Sequence, residues 1–220
     1  MKASSDIQAW GMNITRSVHE KWKQLSAEHA EFRSGYSVFY SPLSMNPKLM
    51  VIGFNPGGGS ESFDAASAQE IPTKHDYFVY DYPLARKMKK IFTDINKLDL
   101  LESSVKTNLV FFRTRSMDDW SKIDPRLRKD LERFCLDKNL EIIRYLQPEI
   151  ILAEGIETYL TIKRALSISE EDVTDSKGRS LIIKAKTNSP RLLGIIHPSG
   201  AHVSNEDWSL IRERLLSELR

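Results

Sequence analysis

Two segments of the chain place side chains capable of chemistry directly after short apolar runs. Asn55 follows the run 49–54 and precedes Pro56 and three glycines, and His197 follows the run 192–196. Short apolar runs bounded by Gly and Pro are typical of buried strands. Open α/β sheets bind their ligands at the carboxyl ends of such strands. An amide that can orient a water and an imidazole that can donate a hydrogen bond therefore form a candidate catalytic pair.

The glycine-rich turn at 57–59 does not match a nucleotide-binding loop. Gly53 and Gly58 have the spacing of a Walker glycine pair, but residues 59–60 are Gly-Ser where Lys-Ser or Lys-Thr is required. The dinucleotide fingerprint also fails, because Ser62 stands where its third glycine should be. We therefore expect neither a nucleoside triphosphate nor NAD at this turn.

Other common catalytic and metal sites lack the residues that they need. No Gly-x-Ser-x-Gly segment occurs, which argues against a serine hydrolase. His197 and His202 have a spacing found in zinc sites, but no paired cysteines or clustered carboxylates accompany them. The single cysteine, Cys135, excludes an internal disulfide and a four-cysteine iron–sulfur site. We therefore expect no metal ion and no cofactor.

Composition and charge are those of an ordinary globular protein. The 220 residues are 40% hydrophobic and 28% charged, with a formal net charge of +2, and we expect one domain over 1–220. Such a charge permits DNA binding through a local basic face. No apolar run approaches the length of about 18 residues that a membrane span needs. We expect a cytoplasmic monomer that does not bind membranes.

Alternating strands and helices predict the scaffold that positions these side chains. Four apolar segments are predicted as central strands, namely 48–54, 106–112, 148–153 and 192–196. Helices between them favour a parallel sheet that is covered on both faces. Right-handed crossovers then bring the strand ends at Asn55, Arg113 and His197 to one edge of the sheet.

Several local signals fix the remaining elements. An N-terminal helical segment, 1–35, is expected to pack on the domain, with Gly11 weakening its middle. Asp124 before Pro125 predicts the start of a long helix, and Ser204 predicts the cap of the last one. The segment 181–185 could add a strand, whereas 167–179 is expected to be an exposed loop.

Four short segments in chain order carry a resemblance to a known family. They are 53–57 (Gly-Phe-Asn-Pro-Gly), 107–113 (Thr-Asn-Leu-Val-Phe-Phe-Arg), 148–155 (Pro-Glu-Ile-Ile-Leu-Ala-Glu-Gly) and 197–200 (His-Pro-Ser-Gly). The first and last resemble the Gly-x-Asn/Asp-Pro and His/Asn-Pro-Ser motifs of the uracil-DNA glycosylase superfamily. The middle two resemble segments of its iron–sulfur branch. The resemblance implies a three-layer α/β/α fold with a mostly parallel four-stranded central sheet.

The resemblance also implies a monofunctional DNA glycosylase, which hydrolyses the N-glycosidic bond of a flipped-out pyrimidine. His197 would donate to the O2 of the leaving base, and loss of one such donor typically costs about 2.7–4 kcal/mol. Asn55 would orient the water, so that proximity carries the rate. Simpler roles stay open: Asn55 could cap its turn, and His197 could bond a neighbouring loop. Glu61 and Asp64 are acidic alternatives to Asn55.

Further residues acquire binding roles from the resemblance. Asn108 can present a donor and an acceptor to a base edge, or it could be structural within its strand. The stacking aromatic is left open among Phe63, Phe78, Tyr80 and Tyr82. The expected substrate-binding residues are Gly53, Phe54, Gly57, Gly58, Phe63, Tyr80, Asn108 and Ser199. The expected DNA-binding residues are Ser60, Arg113, Arg115, Gly200, Ala201 and His202.

Departures from the family pattern leave the substrate open. The iron–sulfur cysteines are missing. The first motif has Asn55 rather than an acidic residue, and Gly200 stands where the single-strand-selective branch has a second proline. Small residues at 200–203 favour single-stranded or distorted DNA. The substrate could be uracil or a related damaged pyrimidine; the glycines at 57–59 also admit a bulky one, such as a hypermodified viral cytosine. The same motifs would also fit a catalytically inactive DNA-binding module, or an RNA or nucleotide glycosidase.

Overall fold

The computed structural model describes residues 2–57, 63–114, 116–168, 172–176, 180–185, 190–199 and 203–219. Its strands are β1 (Leu49–Gly53), β2 (Val105–Asn108), β3 (Ile150–Glu154), β4 (Asp172–Ser176), β5 (Ser180–Ala185) and β6 (Arg191–Ile195). Its helices are α1 (Lys2–Glu28), α2 (Asp76–Val79), α3 (Pro83–Asp94), α4 (Leu98–Glu102), α5 (Met117–Lys122), α6 (Pro125–Leu146), α7 (Ile156–Ala165) and α8 (Asn205–Glu218). Short 3-10 helices span Ala30–Ser34 and Ser67–Gln69. None of these helices is long and apolar enough to cross a membrane.

The described strands form one mixed sheet in the order β2-β1-β3-β6-β5-β4. The first four are parallel to one another, and β5 and β4 continue the sheet antiparallel. The α/β class and the mostly parallel sheet are confirmed, whereas a count of four strands is too low. The prediction of a loop over 167–179 fails at β4, whose Asp and Ser residues are uncommon in strands. Backbone pairing with β5 outweighs that weak preference.

Helices cover both faces of the sheet. Along β1, Met50 packs in a core with α1, α6 and α7, whereas Val51 packs in a second core with α3 and α8. Along β3, Ile151 and Leu152 divide between the same two cores. Successive side chains of a strand point to opposite faces, so each strand serves both cores and three layers result.

Two predicted helix starts are confirmed, and one predicted weakness is not found. Asp124 caps α6 by accepting from two backbone N–H groups, and Ser204 forms a capping box with Asp207 at α8. Helix α1 continues through Gly11 without a break. A Cβ at Gly11 would lie 2.4 Å from Leu43 Cδ1. Glycine therefore serves close packing at this position and does not end the helix.

Strand β2 ends earlier than the sequence predicts, at Asn108. The buried Asn139 of α6 donates through Nδ2 to Asn108 O at 3.1 Å and Leu109 O at 3.0 Å. Backbone hydrogen bonds to the β1 segment continue for two residues, from Leu109 N to Gly53 O at 2.8 Å and from Val110 N to Phe54 O at 2.7 Å. Beyond this point Phe112 pairs with Tyr36 only as an isolated bridge. Helix α6 thereby fixes the carboxyl end of β2.

Candidate active site at the carboxyl ends of the strands

The candidate catalytic pair lies beyond two strands of the same sheet. Asn55 is two residues past the end of β1, and His197 is two residues past the end of β6. The register pairs β1 with β3 and β3 with β6, so the three strands end at one level. Strand β3 separates the other two, which puts the ends of β1 and β6 roughly 10 Å apart. Glu154 ends β3 between them.

The side chain of Asn55 is held by Thr114. Asn55 Nδ2 donates to Thr114 Oγ1 at 2.6 Å, and Thr114 Oγ1 donates to Ser116 O at 3.1 Å. Because the Thr114 proton points to Ser116, the threonine oxygen is left to accept from the amide. Asn55 Oδ1 makes no hydrogen bond to any described residue and can accept one from a water. The contact to Thr114 links Asn55 to another segment and is not a cap of its own turn.

His197 is partly buried and neutral at pH 7. Burial lowers its pKa, the charge of Glu154 raises it and that of Lys106 lowers it, and the net shift is downward. His197 Nδ1 lies 3.3 Å from Ser199 Oγ. When Nδ1 accepts from that hydroxyl, the ring proton lies on Nε2. The imidazole then offers one N–H donor.

Gly53 lies between two polar side chains of the neighbouring strands. A Cβ at this position would lie 2.3 Å from Asn108 Oδ1 and 3.2 Å from Glu154 Oε2. Asn108 pairs with Gly53 in the β1–β2 register and is 4% exposed. The absence of a side chain at Gly53 is therefore what lets both polar groups lean over β1.

Glu154 is fully buried, and only one of its two carboxylate oxygens has a hydrogen-bond donor among the described residues. Tyr77 of α2 donates its hydroxyl proton to Glu154 Oε1, and Glu154 Oε2 has no hydrogen-bond donor among the described residues. Burial and the Glu154 charge raise the pKa of Tyr77, which stays protonated. A buried carboxylate oxygen that lacks a partner is costly. Such an atom beside the candidate pair is a place where a ligand donor would gain a strong hydrogen bond.

Lys106 of β2 supplies a buried positive charge beside two tyrosine rings. Its Nζ lies 4.3 Å from the ring centroid of Tyr40 and 4.7 Å from that of Tyr77. Burial, and to a smaller degree Lys106, lowers the pKa of His75 to about 3. We call Tyr40, Asp76, Tyr77, Lys106 and Glu154 the buried polar cluster.

Two further atoms of the cluster lack partners. Tyr82 donates to Asp76 Oδ2, while Asp76 Oδ1 and the Tyr40 hydroxyl have no partner with hydrogen-bond geometry among the described residues. Ser37 and Asn108 lie near enough to lower the pKa of Tyr40, against a larger increase from burial. Buried polar atoms in native proteins are nearly always paired. Their concentration here distinguishes the cluster from an ordinary core.

The aromatic residues predicted to stack on the base take different positions. Phe63 packs against Trp22 at 4.9 Å and Tyr36 at 5.4 Å between ring centroids, on the α1 side of the sheet. Tyr80 is 62% exposed. Tyr82 contacts the buried polar cluster through its hydroxyl, which donates to Asp76, and its ring lies 5.9 Å from that of Tyr77. The choice of the stacking residue stays a prediction.

The remaining predicted residues lie in different surroundings. Phe54 packs against Trp120 in the α6-side core. Asp64 hydrogen-bonds Ser67 and the Ala66 amide, so it stabilises a 3-10 turn and is not shown beside Asn55. Gly57 is exposed and its carbonyl accepts from Arg113 Nε at 3.3 Å. The residues outside the described part of the chain are Gly58, Ser60, Glu61, Arg115, Gly200, Ala201 and His202.

Sequence reasoning missed Lys106 and Glu154. A detectable signal existed, because a charged residue within or at the end of a strongly apolar strand is rarely buried without a function or a partner. Among the described residues, no group of three or more His, Cys, Asp and Glu side chains could hold a metal ion. No protein-family model matches the chain, and no curated protein matches it in sequence.

Proposed function

We propose that this protein is a monofunctional DNA glycosylase with a uracil-DNA glycosylase-like fold, which hydrolyses the N-glycosidic bond of a flipped-out pyrimidine. The observation that carries the proposal is the arrangement of Asn55 and His197. An oriented amide and a neutral imidazole follow the ends of β1 and β6 at one level, with β3 between them. A nucleobase inserted over β3 would have one group on each side.

The reaction needs only these two groups and a water. The water oxygen, oriented by Asn55 Oδ1, bonds to C1′ of the sugar as the C1′–N1 bond breaks. The electron pair of that bond moves onto the base and its O2, where His197 Nε2–H donates a hydrogen bond. The proton lost by the water ends on the released base. Neither group needs to be a strong acid or base, because positioning and charge stabilisation carry the rate.

Recognition would come from the neighbouring strands. Asn108, buried beside Gly53, has an amide that can pair with a base edge. Bringing a nucleotide to this depth requires flipping it from a duplex, which costs a few kcal/mol. Single-stranded or distorted DNA avoids part of that cost, which supports DNA of this kind as the preferred partner.

Base release from synthetic oligonucleotides tests the proposal. Strands carrying uracil or a modified cytosine are treated under single-turnover conditions, and alkali-labile sites are counted. His197→Ala and Asn55→Ala should each slow release about 100- to 1,000-fold. His29 and Asn13, which lie on the surface of the α1 region, provide the controls His29→Ala and Asn13→Ala, which should match the wild type.

Two outcomes would replace this proposal. DNA binding without base release from any strand would indicate an inactive DNA-binding module. Release from ribose strands or free nucleotides in preference to DNA would indicate an RNA or nucleotide glycosidase.

A further inference from the structure

Two oxygen atoms that accept hydrogen bonds converge above Gly53. Asn108 Oδ1 and Glu154 Oε2 lie 2.3 Å and 3.2 Å from the position that a Gly53 Cβ would take. Glu154 Oε2 has no hydrogen-bond donor among the described residues, and Glu154 is 0% exposed. Tyr77 occupies the other carboxylate oxygen. A ligand edge that enters here therefore meets two adjacent acceptors, one of them anionic.

The surroundings of Asn108 support this orientation of its amide. The amide oxygen is the atom of the Asn108 side chain that lies nearest to Gly53, since Oδ1 is 2.3 Å and Cγ 3.5 Å from the position of a Gly53 Cβ. Glu154 Oε2 approaches the same position from the other neighbouring strand.

Base edges differ in how they satisfy such a pair. An exocyclic amino group carries two N–H donors and can give one to each oxygen. A carbonyl oxygen in the same place would face the carboxylate and leave both acceptors unpaired. Sites that bind a substrate through buried polar groups strongly reject analogues that lack the matching donor.

We propose that the base excised is of the cytosine type, with its 4-amino group bound between Glu154 Oε2 and Asn108 Oδ1. This inference rests on the proposed function and names its substrate class. Glu154 is then the residue that determines specificity against uracil. Lys106 adds a buried positive charge beside the ring of Tyr77, whose hydroxyl binds the other Glu154 oxygen.

A cytosine-type substrate must differ from ordinary cytosine, which DNA contains throughout. A substituent at C5 of the pyrimidine distinguishes the base from cytosine without changing the edge that carries the amino group. We therefore assign the substrate class as 5-substituted cytosine.

The experiment compares three otherwise identical oligonucleotides that contain uracil, cytosine or 5-hydroxymethylcytosine. Single-turnover release of 5-hydroxymethylcytosine by the wild type should exceed that of uracil at least about tenfold. Glu154→Gln keeps the shape but turns an acceptor into a donor. This variant should slow 5-hydroxymethylcytosine release about 10- to 100-fold and speed uracil release. Glu157→Gln, on the exposed start of α7, should leave both rates unchanged.

Each result bears on a different claim. Faster release of uracil, or equal release of cytosine and 5-hydroxymethylcytosine, by the wild type would overturn this inference while the proposed function stands. No release from any strand would overturn the proposed function itself. An unchanged preference in a folded Glu154→Gln variant would remove Glu154 from recognition. The wild-type preference decides the substrate class even where the variant does not fold.

Discussion

Thr114 determines which end of the Asn55 amide faces the candidate site. Its hydroxyl is the acceptor for Asn55 Nδ2 and is itself oriented by Ser116 O. Without it, the amide could rotate and present Nδ2 to the water in place of Oδ1. The role of Asn55 thus depends on a residue that would not itself touch the substrate.

Replacing Thr114 tests this dependence. Thr114→Val removes the hydroxyl with little change in volume, and we expect base release to slow about 2- to 10-fold, the worth of one neutral hydrogen bond. Thr114→Ser keeps the acceptor and should restore most of the rate. Both are measured as single-turnover rates at saturating enzyme, with DNA affinity determined in parallel. A Thr114→Val enzyme as fast as the wild type would show that Asn55 needs no such support.

At the scale of elements, helix α2 connects the buried polar cluster to the stability of the fold. His75 caps α2 by accepting from the Tyr77 amide at 3.2 Å, and its Nε2 contacts Ser104 Oγ at 3.2 Å. Burial, followed by Lys106, lowers the pKa of His75 to about 3. The ring is therefore neutral in the folded protein over the whole range in which a free histidine titrates.

This cap predicts how stability depends on pH. Between about pH 6.5 and pH 3 the unfolded chain binds a proton at His75 and the folded chain does not. The free energy of unfolding should therefore fall as the pH is lowered through this window, by up to about 1.4 kcal/mol per pH unit from this group. His75→Asn keeps an acceptor but does not titrate, so its dependence should be shallower. Urea unfolding at several pH values measures both proteins.

The partly exposed His29 provides the control. His29→Asn removes a histidine outside the buried polar cluster and should keep the loss of stability that His75 causes. If His75→Asn loses stability with falling pH as steeply as the wild type, then His75 is charged in the folded state and the burial argument is wrong.

The elements that could be predicted are those with a strong local signal. The apolar runs at β1, β3 and β6 and the caps at Asp124 and Ser204 suffice to predict their strands and helices. The carboxyl end of β2 is held by Asn139, some 30 residues away, whose side chain donates to the carbonyls of Asn108 and Leu109. β4 depends on pairing with β5. No local pattern carries either effect.

The candidate site divides in the same way. Asn55 and His197 stand out because each follows an apolar run. Tyr77 and Glu154 become visible only when α2 is folded over β3, since the contact joins residues 77 positions apart. No periodic pattern in the sequence predicts long-range contacts of this kind.

At the scale of the whole molecule, a net charge of +2 provides little general attraction to DNA, so the proposed DNA binding would come from local groups of cations. Arg113 is a candidate, since its Nε donates to Gly57 O at 3.3 Å beside the Asn55 segment. Its guanidinium has further N–H groups that can reach a phosphate. Weak dependence of affinity on salt is the expected consequence.

Salt titration of DNA binding tests the role of Arg113. The slope of log affinity against log salt should be small, and Arg113→Ala should reduce it by about 0.7 to 0.9, the effect of one phosphate contact. Arg113→Lys keeps the charge and should retain the slope. Arg33→Ala, on the exposed turn before Gly35, serves as a matched loss of charge. Equal slopes for Arg113→Ala and Arg33→Ala would exclude a specific phosphate contact.

Gly53 has a consequence for how this protein can diverge. Even a methyl group there would lie 2.3 Å from Asn108 Oδ1, so the buried Asn108 side chain would have to move as well. A substitution at Gly53 therefore needs a compensating change on the adjacent strand, and we expect the two positions to change as a pair.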